Sequence, residues 1–309
     1  MFRVRLAFGA SLISILSLAG ASGVQARAIH SVTNQANLVA DGGFESPAVL
    51  ECGTGYIPGA GFGPWHVVGS SGGGVLQVTS CYINPSEGSN SLLLEDGGPG
   101  GVSQALKTTA GTTYDLHFAV AGISFACGAR SLSASAKRLV CGNRKANAVR
   151  LLGGQGLHVL VNGKVVHSTN VLPSGNRSQP GWICPSFDYT AKTTVSALEF
   201  LATSSNAPVI DDVRVTKESG LNVSGVLPNV FGSGTNLAAK VYGSGFTKSS
   251  KVSFSDKNIT VSKVQYIGQD QLNITYTRPA GPAATSDVTV TNGGASDTCG
   301  RALSVTAAP

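Results

Sequence analysis

Between Thr113 and Val120 the chain alternates. Tyr114, Leu116, Phe118 and Val120 fall on one side of an extended backbone, with Asp115 and His117 on the other. A period of two belongs to a strand with one buried face and does not fit the 3.6-residue period of an amphipathic helix. The same period returns at Leu157, Val159 and Val161, followed by Asn162-Gly163 and the run Lys164 to His167. Asn-Gly between two such runs suits a two-residue turn with positive φ at both positions, so a hairpin is expected there. Val195 to Ala202 and Val209 to Val215 read as further strands. Forty glycines, 12% charged residues and a single methionine suit short strands joined by tight turns. The expected class is all-β, with the strands packed as β-sandwiches.

The first residues point to export. Met1 to Arg5 carry two arginines, Leu6 to Gly20 follow without a charge, and Ala26-Arg27-Ala28 supplies a small-x-small cleavage pattern. This is the order of a secretory signal, expected over residues 1–28. An apolar run of about 15 residues is short for a bilayer span, and no later stretch is apolar enough to cross a membrane in the mature form. Cleavage removes Arg3, Arg5 and Arg27, so 22 basic residues become 19 against 16 acidic ones, a net charge of +3. Nucleic-acid binders usually show a clustered basic face, which so small and scattered an excess does not provide. Weak attraction to an acidic polysaccharide is compatible with this charge but not implied by it.

All six cysteines (Cys52, Cys81, Cys127, Cys141, Cys184 and Cys299) lie beyond the signal. An even number in an exported chain reads as three disulfides, although six cysteines allow about 15 connectivities. A metal site fails on spacing, since there is no C-x-x-C or Cys/His cluster. Proximity favours Cys52 with Cys81 and Cys127 with Cys141. Cys184 and Cys299 then pair by elimination, which would staple two domains together.

Turn signals divide the mature chain into two blocks. From Ala121 to Gly156 the strand rhythm breaks into Ser131 to Arg138, small and polar, followed by Arg144, Lys145 and Arg150. This segment reads as a long basic loop tied at its base by Cys127 and Cys141. Lys217 to Gly220 is the expected linker. Beyond it, strands read near Asn236–Tyr242, Lys251–Ser255, Ile259–Tyr266, Gln271–Thr277, Asp287–Thr291 and Ala302–Val305.

Each block carries a resemblance. In the first, Asn37 to Pro47, Gly63-Pro64-Trp65-His66-Val67, Glu87 to Leu92, Val102-Ser103-Gln104, Tyr114 to Phe118, Gly181-Trp182 and Ile210-Asp211-Asp212-Val213 follow in order. This succession resembles the galactose-binding-like jelly-roll domains of the domain-of-unknown-function 642 family. That family includes plant cell-wall proteins and bacterial relatives of the choice-of-anchor C type. The resemblance covers residues 36–217, departs at the Ala121–Gly156 insertion, and implies a jelly roll that binds extracellular carbohydrate. In residues 221–309, Val226-Leu227-Pro228-Asn229, Val241 to Phe246, Gln271-Leu272 and Asp287 to Asn292 resemble an IPT/TIG domain. That resemblance implies an immunoglobulin-like sandwich of the kind common in surface proteins, and says little about ligand.

Catalytic signals are sparse. The chain has no G-x-S-x-G elbow, H-E-x-x-H pair or phosphate loop. His30, His66, His117, His158 and His167 have no metal spacing, though His117 and His158 take the non-core parity of their strands and would share a face if those strands were neighbours. Exposed or hydrogen-bonded strand histidines are the plainer reading. Glycoside hydrolysis needs two carboxyls at a set separation, and the sequence places no two of Glu87, Glu95, Asp96 and Glu199 across a cleft. The chain is read as not an enzyme.

Asp211 shares parity with Val209, Val213 and Val215, which directs its carboxylate toward the core. Burial there is expensive unless a cation or several N–H groups satisfy the charge. Related carbohydrate-binding jelly rolls often hold a structural calcium between first and last strands. By position the resemblance nominates Glu45 with Asp211 or Asp212 as its ligands. Nearby backbone amides are the alternative partner. For sugar stacking, Tyr56 and Tyr82 sit in Gly-rich segments beside Cys52 and Cys81 and are the exposed candidates. Trp65 and Trp182 begin strands and read as core or rim residues. The leading function is a secreted, non-catalytic protein that binds extracellular polysaccharide at a cell wall or surface. An adhesive protein that binds cell-surface proteins is second, and a polysaccharide-active enzyme third.

Overall fold

The computed structural model describes residues 36–49, 51–69, 73–95, 98–122, 128–131, 137–140, 155–171, 178–204, 208–218 and 220–305. The regular elements among them are all strands. The first block supplies β1 (Gly53–Tyr56), β2 (Gly61–Phe62), β3 (Trp65–Gly69), β4 (Val75–Thr79), β5 (Asn90–Leu93), β6 (Gly100–Lys107) and β7 (Thr113–Ala121). It continues with β8 (Gly128–Ser131), β9 (Lys137–Val140), β10 (Gln155–Val161), β11 (Lys164–Val171), β12 (Ser186–Thr190), β13 (Val195–Ala202) and β14 (Val209–Lys217). The second block supplies β15 (Asn222–Leu227), β16 (Val230–Phe231), β17 (Gly234–Ser244) and β18 (Lys251–Phe254). It closes with β19 (Thr260–Gly268), β20 (Gln271–Arg278), β21 (Ala284–Asn292) and β22 (Ala295–Val305).

Two sheets form from the first block: eight strands in the order β12-β7-β14-β5-β4-β1-β9-β8, and six in the order β11-β10-β13-β6-β3-β2. Alternation decides what lies between them. Tyr114, Leu116, Phe118 and Val120 from β7 meet Leu157 and Val159 from β10, Leu198 and Phe200 from β13, and Trp65 and Val67 from β3 in one buried cluster. The β10–β11 hairpin turns at Asn162 (φ 53°) and Gly163 (φ 73°), with Val161 opposite Lys164. Positive φ at both turn residues is the conformation that Asn-Gly tolerates and most residues resist. Within the Ala121–Gly156 insertion, β8 and β9 pair and extend the eight-stranded sheet beside β1, so the segment is not loop throughout.

The second block forms two four-stranded sheets, β15-β17-β20-β19 and β16-β22-β21-β18. Val241, Leu272, Ile274, Phe231, Val288 and Val290 fill the space between them, with Phe231 stacked on Tyr276 at 4.0 Å. This cluster continues into the first block through Leu76, Val78, Leu93, Ala119, Ala121 and Val209. Those residues occupy the other face of the eight-stranded sheet, which is therefore buried on both sides. The sheets change over between Lys217 and Asn222, where the linker was expected, yet the two sandwiches share apolar packing across that boundary.

The pairing of β14 with β7 slips between Asp211 and Arg214, and Asp212 takes a left-handed φ of 46°. Asp211 lies opposite Ala119 and Arg214 opposite His117, while Ile210 and Val215 lie opposite Val120 and Leu116. The extra residue of this bulge turns Asp211 to the side of Val209 and Arg214, away from Val213 and Val215. Asp211 is buried as expected and keeps parity with Val209, but the parity expected with Val213 and Val215 is corrected: strict alternation does not survive a bulge.

Cys52 is bonded to Cys81 and Cys184 to Cys299, as proximity and elimination paired them. The second bond joins the two sandwiches. Cys127, Cys141 and the expected signal segment lie outside the described residues. Among the described residues no cysteine is free, and no helix is long and apolar enough to cross a membrane.

Candidate functional site

The carboxylates nominated for calcium gather around one turn, Ser86 to Asn90. Asp41 and Phe44 take left-handed φ values of 51° and 56°, and the Asp41 carboxylate accepts bonds from the Glu45 and Ser46 amides at 2.7 and 3.1 Å. This local turn aims Glu45 at the Ser86–Asn90 segment. Glu45 Oε1 accepts from the Ser89 and Asn90 amides at 2.8 and 3.0 Å, and its Oε2 from Asn90 Nδ2 at 3.3 Å. Asp211 is fully buried; its Oδ2 accepts from the Ser86 and Glu87 amides at 2.7 and 3.0 Å, and its Oδ1 from the Asp212 amide at 2.7 Å. Burial pushes the Asp211 carboxyl well above the usual carboxylate range, against the pull of those three amides. The oxygens are already met by N–H groups, and among the described residues no group of three or more His, Cys, Asp or Glu is arranged around a metal. The amides that the sequence left as the alternative partner are the ones present.

The stacking candidates separate. Tyr82 is 3% exposed and packs in the shared apolar cluster, which corrects its expected exposure. The cause is long-range: that cluster brings together residues distant in sequence, Trp182, Cys184 and residues of the second sandwich among them. Tyr56 is half-buried, with its ring stacked on Phe62 at 4.5 Å and its hydroxyl donating to Gln77 Oε1 at 3.0 Å. Trp65 and Trp182 are fully buried, their indole N–H groups donating to the carbonyls of Asp41 and Asn84 at 2.9 and 3.0 Å. Of these four rings, only that of Tyr56 retains partial access to solvent.

Ionisable groups with displaced pKa values do cluster, at the joint between the sandwiches. Asp297 Oδ1 accepts from Arg214 Nη1 at 3.2 Å, and its Oδ2 accepts from the Val223 amide at 2.7 Å. Arg214 Nη2 donates to the Thr298 carbonyl at 2.9 Å, while its Nε lies 3.1 Å from Asp212 Oδ1. His117 Nδ1 is 3.9 Å from Asp297 Oδ2, and neither ring nitrogen has a hydrogen-bond partner. Burial holds His117 well below the usual imidazole value, reinforced by the nearby Arg214 charge. Burial raises Asp115 to about 7, despite a hydrogen bond with Asn222 that pulls it down. Asp212 and Asp297 are raised by burial too, with Arg214 opposing. Such groups often mark an active site. Here Asp115, His117 and Asp211 are at most 5% exposed, so the cluster is a joint rather than a cleft.

Among the described residues, the other carboxylates considered are placed as follows. Glu87 lies with Asp212 at the joint, and Glu199 lies opposite Ser103 and Leu160 in the six-stranded sheet. Asp96 is outside the described residues. His117 and His158 belong to different sheets, so the shared face considered for them does not form.

An open surface of mixed chemistry lies elsewhere, on the outer face of β15-β17-β20-β19. Ala239 and Val241 of β17 point into the core with Leu272 and Ile274 of β20. The intervening side chains, Ala238, Lys240 and Tyr242 on β17 and Asn273 and Thr275 on β20, are set outward by the strand period. Lys240 pairs across Asn273 to Gln265, and Ala238 across Thr275 to Lys263. With Leu227 and Pro228 at one side these residues line a groove of about 560 Å³. Gln271 Nε2 donates to Asn273 Oδ1 at 2.8 Å and fixes that amide. An aromatic ring, two amides, a hydroxyl and two ammonium groups thus face one open trough. The sequence reading missed it. Its only local signal is a run of outward polar positions on β17, β19 and β20.

No family model matches the chain, and no curated protein matches it. Among solved structures it is similar to a Stig cyclase, Fisc, from Fischerella sp. TAU in complex with an indole compound, at 14% identity and a TM-score of 0.39 over 59% of this chain and 96% of that one. It is similar also to the carbohydrate-binding module TmCBM61 in complex with β-1,4-galactotriose, at 17% identity and a TM-score of 0.35 over 59% of this chain and 99% of that one. A structure described as CBM4 overlaps 50% of this chain and 95% of its own at 14% identity and a TM-score of 0.25. Likenesses this distant carry no weight for function.

Proposed function

We propose that the chain is an exported, non-catalytic glycan-binding protein whose contact surface is the trough on β15-β17-β20-β19. The observation that carries this reading is the make-up of that trough: Tyr242 beside Asn273, Gln265, Thr275, Lys240 and Lys263 on a rigid sheet. A sugar ring offers an apolar C–H face and a rim of hydroxyls. An aromatic side chain covers the first, and amides and hydroxyls exchange hydrogen bonds with the second. The motif order of residues 36–217, which resembles galactose-binding-like jelly rolls, supports the same class of ligand. Two disulfides are compatible with an extracellular protein. The non-catalytic half of the reading is supported by the burial of the joint carboxylates and by the amides that hold Asp211.

The test is a panel of immobilised polysaccharides offered to the full chain. Tyr242→Ala is expected to lose retention on whichever polymer holds the native protein, with no fall in melting temperature. Tyr56→Ala is expected to keep it. Affinity should be modest, because an open trough buries little area and sugar hydroxyls exchange water for protein at small net gain. Undiminished retention of Tyr242→Ala, or steady release of reducing sugar from a bound polymer, would overturn the proposal.

Exposed Leu227, 53%, at the rim of the trough sheet, and Val230, 43%, on the facing sheet, favour a second reading, adhesion to another protein. Retention by no polysaccharide, together with capture of a purified surface protein that Leu227→Asp abolishes, is the outcome that would put it first.

A further inference from the structure

We infer that the trough takes an acidic polysaccharide, one whose sugar units carry carboxylates; this rests on the glycan-binding reading above. Its lining contains Lys240 and Lys263 and no Asp or Glu. Both lysines are exposed. Of the four acidic residues of the second sandwich, Asp270 stands exposed in the β19–β20 turn, beyond Tyr242 and outside the lining, and the other three are engaged elsewhere. Asp256 lies 3.4 Å from Arg278, Asp287 accepts from the Arg301 amide at 2.8 Å, and Asp297 is held at the joint by Arg214. The trough is therefore a positive strip on a protein of small net charge.

The register spaces the two ammonium groups. Lys240 and Lys263 stand two strands apart and one two-residue step along the sheet. At about 4.8 Å per strand and 3.3 Å per residue, their Cα atoms are roughly 12 Å apart. That separation exceeds one sugar ring and suits carboxylates on two different units of one chain. Asn273 lies opposite Lys240 and Thr275 opposite Lys263, so an amide stands beside one ammonium group and a hydroxyl beside the other. The lysine ammonium is a hydrated point charge with three rotatable donors, so it can meet a carboxylate on a flexible polymer without a fixed approach geometry. Attraction between such exposed charges is weak singly and sensitive to salt.

The experiment compares binding of the full chain to polygalacturonate, to the same polymer after carboxyl reduction, and to a sulfated dextran. Polygalacturonate is expected to bind most tightly, and raising salt from about 0.05 M to about 0.5 M should remove most of its advantage over the reduced polymer. Lys240→Gln and Lys263→Gln are each expected to weaken polygalacturonate binding roughly threefold, and together about tenfold, with unchanged melting temperature. The reduced polymer should bind native protein and double variant alike. Equal native binding of polygalacturonate and its reduced form, lost in Tyr242→Ala, overturns the acidic assignment while the glycan reading stands. Unchanged polygalacturonate binding by the double variant overturns it too. Binding of the sulfated dextran alone overturns the carboxylate assignment, and binding of none of the three overturns both inferences.

Discussion

The two faces of the eight-stranded sheet are both buried, but on different terms. Toward the six-stranded sheet β7 and β14 present Tyr114, Leu116, Phe118, Val120, Ile210, Val213 and Val215, an apolar layer. Toward the second sandwich the same strands present Asp115, His117, Asp211 and Arg214 among Ala119, Ala121 and Val209. The first face needs only bulk and shape. The second needs a partner for each ionised group, and Ser86, Asn222, Val223, Asp297 and Thr298 supply several. A strand with one polar side ordinarily faces water on that side. Here the polar side is roofed, so polarity marks a joint rather than a surface.

The sharpest contrast should come from the inner face. Trp65 is fully buried, lies 5.2 Å from Phe44 and donates its indole N–H to the Asp41 carbonyl. Trp65→Ala is expected to lower stability by about 3–5 kcal/mol in urea unfolding of the full chain. A loss below about 1 kcal/mol would mean that the inner face is not the main core. On the outer face the corresponding anchor is covalent. Cys184 and Cys299 are 115 residues apart in sequence, so their bond removes a large loop from the unfolded ensemble. Cys184→Ser with Cys299→Ser is expected to lose about 2–4 kcal/mol. The loss should be accompanied by faster hydrogen exchange in β15 and β22, while the β6–β13 pair keeps its protection. Uniform loosening of both faces would erase the distinction.

Much of the inner face was legible in the sequence. The alternation at Tyr114–Val120 and at Leu157–Val161 needs no knowledge of neighbours, and Asn162-Gly163 encodes its own turn. The outer face was not legible, because its chemistry depends on what lies across it. Asp211 is buried on the side of Val209 as expected, but a bulge that local sequence does not announce sends Val213 and Val215 to the other face. Tyr82 looked exposed because the apolar cluster that buries it draws on residues far along the chain, Trp182 and parts of the second sandwich among them. The trough was hidden for a related reason. Lys240, Asn273 and Gln265 become neighbours only through the order β17-β20-β19, and strand order is a property of the whole sheet. What period-two reasoning supplies is a face; which face is covered, and by what, is decided by long-range pairing.

The smallest expected effect distinguishes the two faces by their response to pH. Asp115 is 5% exposed, one of its carboxyl oxygens has no hydrogen-bond partner, and burial raises it from 3.8 to about 7. Between those values the folded protein holds a proton that the unfolded chain has released. The stability this contributes is fully present below about pH 4 and is lost as pH rises through about 7. Asp115→Asn keeps a neutral side chain of the same shape at every pH. The variant and the native protein should therefore be similar near pH 4.5, and the variant should be more stable above pH 8. The full interval at about 1.4 kcal/mol per unit is an upper bound, and relaxation around the ionised carboxyl is expected to leave about 1–2 kcal/mol. His117 has the opposite sign. Its lowered value means that stability is present above the ordinary imidazole range and is lost as pH falls below it. That contribution is common to both proteins, so their difference isolates Asp115. Urea unfolding of the pair from pH 4.5 to pH 8.5 measures it. A difference that stays constant across this range would show Asp115 ionised throughout, and the joint would then be a wet, solvated seam instead of a buried one.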